Sequence, residues 1–524
     1  MTRPEPADLR LTTNRTGSVR PRPGPSVPLG DLVAGIARLD GPVGEVVIGD
    51  LCLDSRAAVP GDLFAALPGE HAHGAQFARA AIAGGAVAVL TDPAGRALLG
   101  DDVPCPVAVV PDARVALATV AVRLFGEPAS RLAMFGVTGT NGKTTTTCLL
   151  AAGLAAAGAR VGTIGTLGFT LGDVPLPSGR TTVTTPEAPD LQALFAAMAG
   201  NGANAVVMEV SSHALALHRV DGTRFDVAGF TNLGRDHLDF HSTMEAYFEA
   251  KAELFTPEMT RVAVLNADDA AGQRLIRRLR EADTVPVVTY GYDPVDDYRL
   301  MDWQPDAGGS RFTVRHGGRD LDIRLAMPGE YNARNAVLAL AMIDAGGYDG
   351  AAAAEGLRRA CVPGRMEPVW LGPDAPYAYV DFGHTPQAIA AALGAVPKPR
   401  VAVVGAGGDR DPAKRGPMGA AAAEAAQVVI VTDDNPRSED PAVIRAAVRA
   451  GAEPVAARLG HRVVEVAPRE AALAFALETA APGESVVVLG KGHETTQLLA
   501  DGAHPFSDAA VLREAWQRQQ RARA

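Results

Sequence analysis

The segment GVTGTNGKTTTT, Gly136 to Thr147, constrains this chain more than any other. It follows an apolar run, Leu132 to Phe135, and leads into the Ala/Leu-rich CLLAAGLAAAG. A strand, a glycine-rich turn and a helix start, in that order, make a phosphate-binding loop in which backbone N–H groups and a helix N-terminus face an anion. Gly139, Thr140, Asn141, Gly142 and Thr145 belong to the cradle, Lys143 is placed to reach the β/γ phosphates, and Thr144 offers a hydroxyl to Mg2+. The glycine spacing departs from the common pattern, with Val137 standing five places before Gly142. ATP or GTP binding follows, but the loop does not say which reaction.

Apolar β-branched runs alternate with Ala/Leu-rich stretches through the rest of the chain, which predicts an α/β protein with parallel sheets covered by helices. A length of 524 residues is too great for one core. Three blocks separate: 29–128, 129–361 with the phosphate loop, and 362–524, with the Pro-Gly punctuation VPGRM, Val362 to Met366, as a hinge. Residues 1–28, rich in Arg, Pro, Thr and Ser, read as a mobile tail and not as a secretory signal. With 49 Lys and Arg against 60 Asp and Glu, the charge of −11 argues against a nucleic-acid binder. The four cysteines have no paired spacing, which suggests neither zinc nor a disulfide framework and fits the cytoplasm. The longest uncharged stretch, Cys148 to Ala159, is too short to span a membrane and reads as a buried helix.

Six further segments extend the pattern. GTNGKTT together with MEVSSHAL from Met208, TNLGRDHLDFH from Thr231, EAYFEAKAELF from Glu245, PGEYNARNAVLA from Pro328, VPGRME from Val362 and DFGHTP from Asp381 resembles the Mur ligase family. Those are ATP-dependent amino-acid ligases of peptidoglycan precursor synthesis. The resemblance implies a three-domain architecture, with a P-loop parallel-sheet central domain and a Rossmann-like C-terminal domain. It also implies that ATP phosphorylates a carboxylate and that an incoming amine displaces phosphate from the acyl phosphate. Two Mg2+ sites are implied, held by Thr144, Glu209, His237 and Lys251. On sequence alone Lys251 is a lysine among acids on a helix surface; the resemblance makes it a carbamylated lysine, formed with CO2. Asn332 and Asn335 match nucleotide-positioning residues, Arg365 an arginine meeting the ATP phosphates, and Asp381 and His384 a DxxH element written here DFGH where DYAH is commoner.

The same resemblance narrows the substrates. Leu53 and Ser55 of LDSR and the His71, Ala72, His73 segment match contacts to the UDP end of UDP-N-acetylmuramoyl-L-alanyl-D-glutamate. Thr184, Thr185, Ser211 and Arg219 match contacts to its peptide, although Leu217 stands where some members carry glutamine. In the third block, loops following strands should converge at one crevice of an open parallel sheet. Arg410, Asp434, Asn435, Pro436, Arg437, Gly490 and Glu494 supply both guanidinium and carboxylate groups, which suits an amino acid charged at both ends. DNPR, Asp434 to Arg437, resembles the family's element for meso-2,6-diaminopimelate, with Arg437 on the distal carboxylate. The expected enzyme is a cytoplasmic monomer that joins diaminopimelate to the D-glutamyl γ-carboxylate, without nucleic-acid partners or a membrane span. The alternatives are a lysine-adding member, a folylpolyglutamate synthetase sharing the ATP core, and a nucleotide-binding relative without catalysis.

Overall fold

The computed structural model describes residues 9–41, 44–69, 71–179, 184–306 and 309–523. They form two compact units, Met1–Arg299 with Asn335–Gly356 and Leu300–Arg334 with Leu357–Ala524.

The first unit holds two large sheets. One orders its strands Arg38–Asp40, Val107–Val109, Ala88–Thr91, Asp62–Ala66 and Asp50–Cys52, parallel except for the first pair. In the other, Ala133–Thr138 lies between Ala205–Glu209 and Phe225–Phe230, all parallel. Val161–Gly165 extends it on one flank, and Thr260–Asn266 and Val287–Gly291 on the other. Its central strands are buried almost throughout, as expected of a parallel sheet covered on both faces. Cys148 to Ala159 falls mostly within the helix Lys143–Ala156, whose Leu149, Leu150 and Leu154 are wholly buried. Among the described residues no helix is long and apolar enough to cross a membrane.

Residues 9–28 are not a mobile tail. Leu11–Thr13 pairs antiparallel with Val19–Pro21 around a turn in which Asn14 Oδ1 accepts from Thr16 and Ser18 N–H (3.1 and 2.9 Å). Val19 joins the central core, while Arg20 is buried and bridges Asp50 (2.6 Å) and Asp190 (2.9 Å). Strands of three residues leave no readable alternation, and the hairpin is fixed by Val19, by the partly buried Leu9 and Leu11 on the same core, and by two ion pairs rather than by an apolar run. Residues 1–8 lie outside the described ones.

The second unit orders its main sheet Glu367–Val369, Tyr377–Asp381, Ser485–Leu489, Arg400–Val404, Val428–Val431 and Arg462–Glu465, parallel after the first pair. A core lies on each face. The unit also takes in Gly309–His316 and Arg319–Leu325, an antiparallel pair, and Tyr331 packs on the first of those cores. The last crossing between the units, at 356/357, lies five residues before the expected boundary at 361/362, and the two at 299/300 and 334/335 have no counterpart in the sequence reading. The VPGRM turn is itself fastened to the second unit: Gly364 N–H donates to Glu367 Oε2 (2.9 Å), Met366 N–H to Asp381 Oδ2 (2.8 Å), and Gly364 O accepts from Phe382 N–H (2.9 Å).

Candidate active site

The phosphate loop is set by two glycines. Gly139 has φ 143° and Gly142 φ 88°, in the region that side chains disfavour. Space excludes them as well, since a Cβ at 139 would stand 1.8 Å from Thr231 Oγ1 and one at 142 would stand 2.5 Å from Asn335 Oδ1. Lys143 Nζ donates to Gly139 O (2.8 Å) and Thr140 O (3.1 Å). Asn141 is held by its neighbour strand's extension, its N–H donating to Asn232 Oδ1 (3.0 Å) and its carbonyl accepting from Thr231 Oγ1 (2.6 Å). Thr145 is buried in the helix's first turn. Asn332 and Asn335, three apart on the helix Glu330–Ala345, are both buried, and Asn332 Nδ2 donates to Pro328 O (2.8 Å).

Glu209, at the end of the adjacent strand, is 1% exposed. It accepts from Thr144 Oγ1 (3.1 Å), Thr166 Oγ1 (3.1 Å) and Thr166 N–H (2.7 Å). A threonine hydroxyl against a buried carboxylate is a pair of hard oxygen donors of the kind Mg2+ takes. His237, at φ 52°, is half-exposed, its ring edge-on to His213 at 4.8 Å and 6.1 Å from Tyr247. Burial and the neighbouring His237 and His241 push His213 down to about 4. Among the described residues no group of three or more His, Cys, Asp or Glu could hold a metal ion, so Glu209 and His237 stand as single donors.

Lys251 overturns its surface reading. It is 1% exposed, and its Nζ donates to Gly139 O (2.9 Å), the carbonyl that Lys143 also uses, and lies 4.5 Å from the Tyr247 ring centroid. Burial and the Lys143 charge hold its pKa well below that of an ordinary lysine, against an opposing pull from Asp236. Charge on the surrounding helix gave the wrong impression because Glu245 and Glu249 pair outward with Arg274 and Arg278.

The peptide-contact candidates of the central block converge. Thr185 Oγ1 donates to Glu209 O (2.8 Å) and accepts from Ser211 N–H (3.1 Å), while Arg219 donates to Thr185 O (3.2 Å) and pairs with Glu187 (2.8 Å). Thr184 Oγ1 lies 3.3 Å from Thr166 Oγ1, one bond from Glu209. Leu217 caps the short helix Ser212–Ala216. In the N-terminal sheet, Ser55 opens a 3-10 turn capped by Asp54. Leu53 lines a cavity of about 410 Å3 whose other wall is the N-terminal hairpin, with Arg15, Arg20 and Arg22. His71 is exposed, and Ala72 O accepts from Gly69 N–H (3.2 Å). His73 uses both ring nitrogens within the domain: Nδ1 accepts from Ala75 N–H (3.1 Å), so Nε2 carries the proton to Asp92 (3.1 Å).

In the second unit the loops after four parallel strands meet at one edge, as the topology requires. Asp381 accepts from Met366 and Gly383 N–H (2.8 Å each), and burial raises its pKa despite Arg365. Arg365 lies 4.4 Å over the Phe382 ring, so the departure from tyrosine keeps a cation–π platform. His384 Nδ1 donates to Phe382 O (2.9 Å). Asp434, Asn435, Arg437, Gly490 and Glu494 come together: Asn435 Nδ2 donates to Glu494 Oε2 (2.7 Å), and a Cβ on Gly490 would stand 2.2 Å from Asp434 Oδ2. Arg437, at φ 54°, donates through Nη1 to Gly408 O (2.5 Å), and Pro436 O lies where a Cβ on Gly408 would stand. Arg410 is exposed on the same loop, beside Gly407. Sequence reasoning missed Lys491 and Arg469, both buried. Arg469 pairs with Asp508 (2.8 Å) and donates to Asp433 O (3.3 Å) and Leu489 O (3.0 Å), tying two of these loops together. Nothing in its sequence setting, PREAAL, marks it.

A phosphate loop with a buried second lysine, and a parallel-sheet crevice of mixed charge, define an ATP-dependent ligase of Mur type. The chain belongs to the Mur ligase family: residues 137–343 match the Mur ligase middle domain, 364–492 the glutamate ligase domain and 48–122 the Mur ligase family catalytic domain. It is 46% identical over 487 residues to UDP-N-acetylmuramoyl-L-alanyl-D-glutamate--2,6-diaminopimelate ligase of Corynebacterium glutamicum, covering 90% of this chain and 92% of that protein. The enzyme of the same name from Streptomyces coelicolor is 45% identical over 511 residues, covering 95% and 98%. A solved structure of a ligase of that name matches with a TM-score of 0.69 at 32% identity, over 94% of this chain and 99% of that one.

Proposed function

We propose that the chain joins meso-2,6-diaminopimelate to the D-glutamyl γ-carboxylate of UDP-N-acetylmuramoyl-L-alanyl-D-glutamate, converting ATP to ADP and phosphate. The carrying observation is the DNPR loop in the C-terminal crevice, where the Arg437 guanidinium and the Glu494 carboxylate offer partners for the two ends of a zwitterion. Identity of 45–46% to two enzymes of that name supports the same reading.

In this reading the substrate carboxylate attacks the γ-phosphorus, ADP departs, the diaminopimelate amine adds to the acyl carbon after losing its proton, and phosphate leaves. Lys143, freed from Gly139 O and Thr140 O, takes the β/γ phosphates, and the loop N–H groups hold the rest. Thr144 and Glu209 are the residues that fit Mg2+, with His237 and Lys251 completing two sites; the ions supply charge neutralisation at the transferring phosphoryl group. Lys251 suits carbamylation because its burial beside Lys143 favours the neutral amine that CO2 requires. Arg365 and His384 belong to the nucleotide side, and Asp381 holds the turn that carries Arg365 by accepting from Met366 N–H. Thr185, Ser211 and Arg219 take the peptide, and Leu53, Ser55 and the backbone of 71–73 the UDP end. All four cysteines are free thiols, as suits the cytoplasm, and one chain carries every group named, as suits a monomer.

ADP release with the UDP substrate and either diaminopimelate or L-lysine tests the reading. Turnover with diaminopimelate at least tenfold above lysine is expected; comparable rates would sink it.

A further inference from the structure

Lys491, within GKGHE, is a cation without any exposed side-chain surface. Its Nζ has three protons and three acceptors: Asn435 Oδ1 (2.9 Å), Glu494 Oε2 (2.9 Å) and Thr496 O (2.6 Å). No donor is left for a substrate. Asn435 is similarly committed, its Oδ1 also accepting from Leu498 N–H (2.9 Å) and its Nδ2 donating to Glu494 Oε2. Glu494 thus has one oxygen pinned from two sides and the other left over, on a side chain 33% exposed. The hairpin Thr496–Leu499 and Gly502–Pro505 completes the clamp, since Leu498 O accepts from Arg437 N–H (3.0 Å) and Gln497 Nε2 donates to Asp434 O (2.7 Å).

We infer that Lys491 is a positioning residue for the amino-acid substrate: it fixes the Glu494 carboxylate and the Asn435 amide so that the remaining Glu494 oxygen receives the substrate ammonium. This rests on the assignment of the C-terminal crevice to diaminopimelate. An ion pair this buried is retained at a desolvation cost, and what it returns is a single orientation. It also keeps Glu494 ionised, for against burial the carboxylate is held below its usual range by Lys491 and then by Asn435. The charged groups around it are Lys491, Asp434 and Arg469, the last neutralised by Asp508, while burial pushes the neighbouring His493 down to about 4.

Steady-state kinetics of the full-length enzyme with Lys491→Met and Lys491→Arg test the inference. Lys491→Met should raise KM for diaminopimelate about 10- to 100-fold, with KM for ATP and the UDP substrate within about twofold of wild type. Its kcat/KM for diaminopimelate, taken relative to the wild type at each pH, should fall between pH 7 and 5.5, because Glu494 loses its cation and protonates earlier. Lys491→Arg keeps the charge but not the three-way geometry, so it should raise the same KM while that ratio stays constant with pH. An unchanged KM in either variant, or an equal rise for all three substrates, overturns the inference; if the Met variant does not fold, the Arg variant decides. A wild type that uses lysine instead of diaminopimelate refutes the substrate reading alone, and the same comparison is then made with lysine.

Discussion

Two ammonium groups, Lys143 and Lys251, share the Gly139 carbonyl. Lys251 is buried and Lys143 lies half-buried beside it, so burial and the neighbouring charge both favour the neutral amine at Lys251, the form a carbamate needs. Lys251→Ala should therefore cost at least about 100-fold in turnover, with partial recovery on adding a short carboxylic acid to the assay; full activity without it would return Lys251 to a structural role. A second residue reports on stability. Burial lifts Asp62 to about 6. The fold thus favours its neutral form, a contribution present below pH 4 and lost as pH rises through 6. Asp62→Asn, which still accepts from Val59 N–H, should stabilise the protein by about 1–2 kcal/mol at pH 8 and hardly at all at pH 4. Chemical denaturation at the two pH values checks this. Which residues could be read in advance follows from what each signal was. Lys143, Glu209 and Arg437 sit in motifs tied to strand ends, where side chains reach a crevice. Lys491 and Arg469 act through burial, which depends on neighbours 56 and 39 positions away.

At the scale of elements, the parallel strands were legible because a strand buried on both faces is a continuous apolar run, such as Val486–Leu489. The N-terminal hairpin was not, since its stability comes from Arg20 reaching Asp50 and Asp190, 30 and 170 positions away. Removing residues 1–22 would leave both acids without their cation and take one wall from the cavity at Leu53. The expected result is a loss of about 2–4 kcal/mol and a higher KM for the UDP substrate than for ATP, relative to wild type. A truncated enzyme with unaltered melting temperature and kinetics would restore the tail reading.

The whole molecule carries a charge of −11, and the proposed function has it handle anions through local cations, with Lys143, Arg365 and Arg437 taking phosphate and carboxylate groups. Three blocks were readable from length and the order of segments; the crossings between the two units at 299/300, 334/335 and 356/357 were not, because they depend on packing and not on any break in the sequence. The helix Glu330–Ala345 begins in one unit and ends in the other. That threading bears on how amino-acid specificity can be transplanted between relatives. A chimera spliced once near 357 carries a foreign C-terminal module without residues 300–334, the strands and Tyr331 that fold with it. It should express poorly or melt several degrees lower than one that exchanges 300–334 as well. On that outcome the C-terminal module of this chain is carried by two separate stretches of gene, and recombination at a single point would break it.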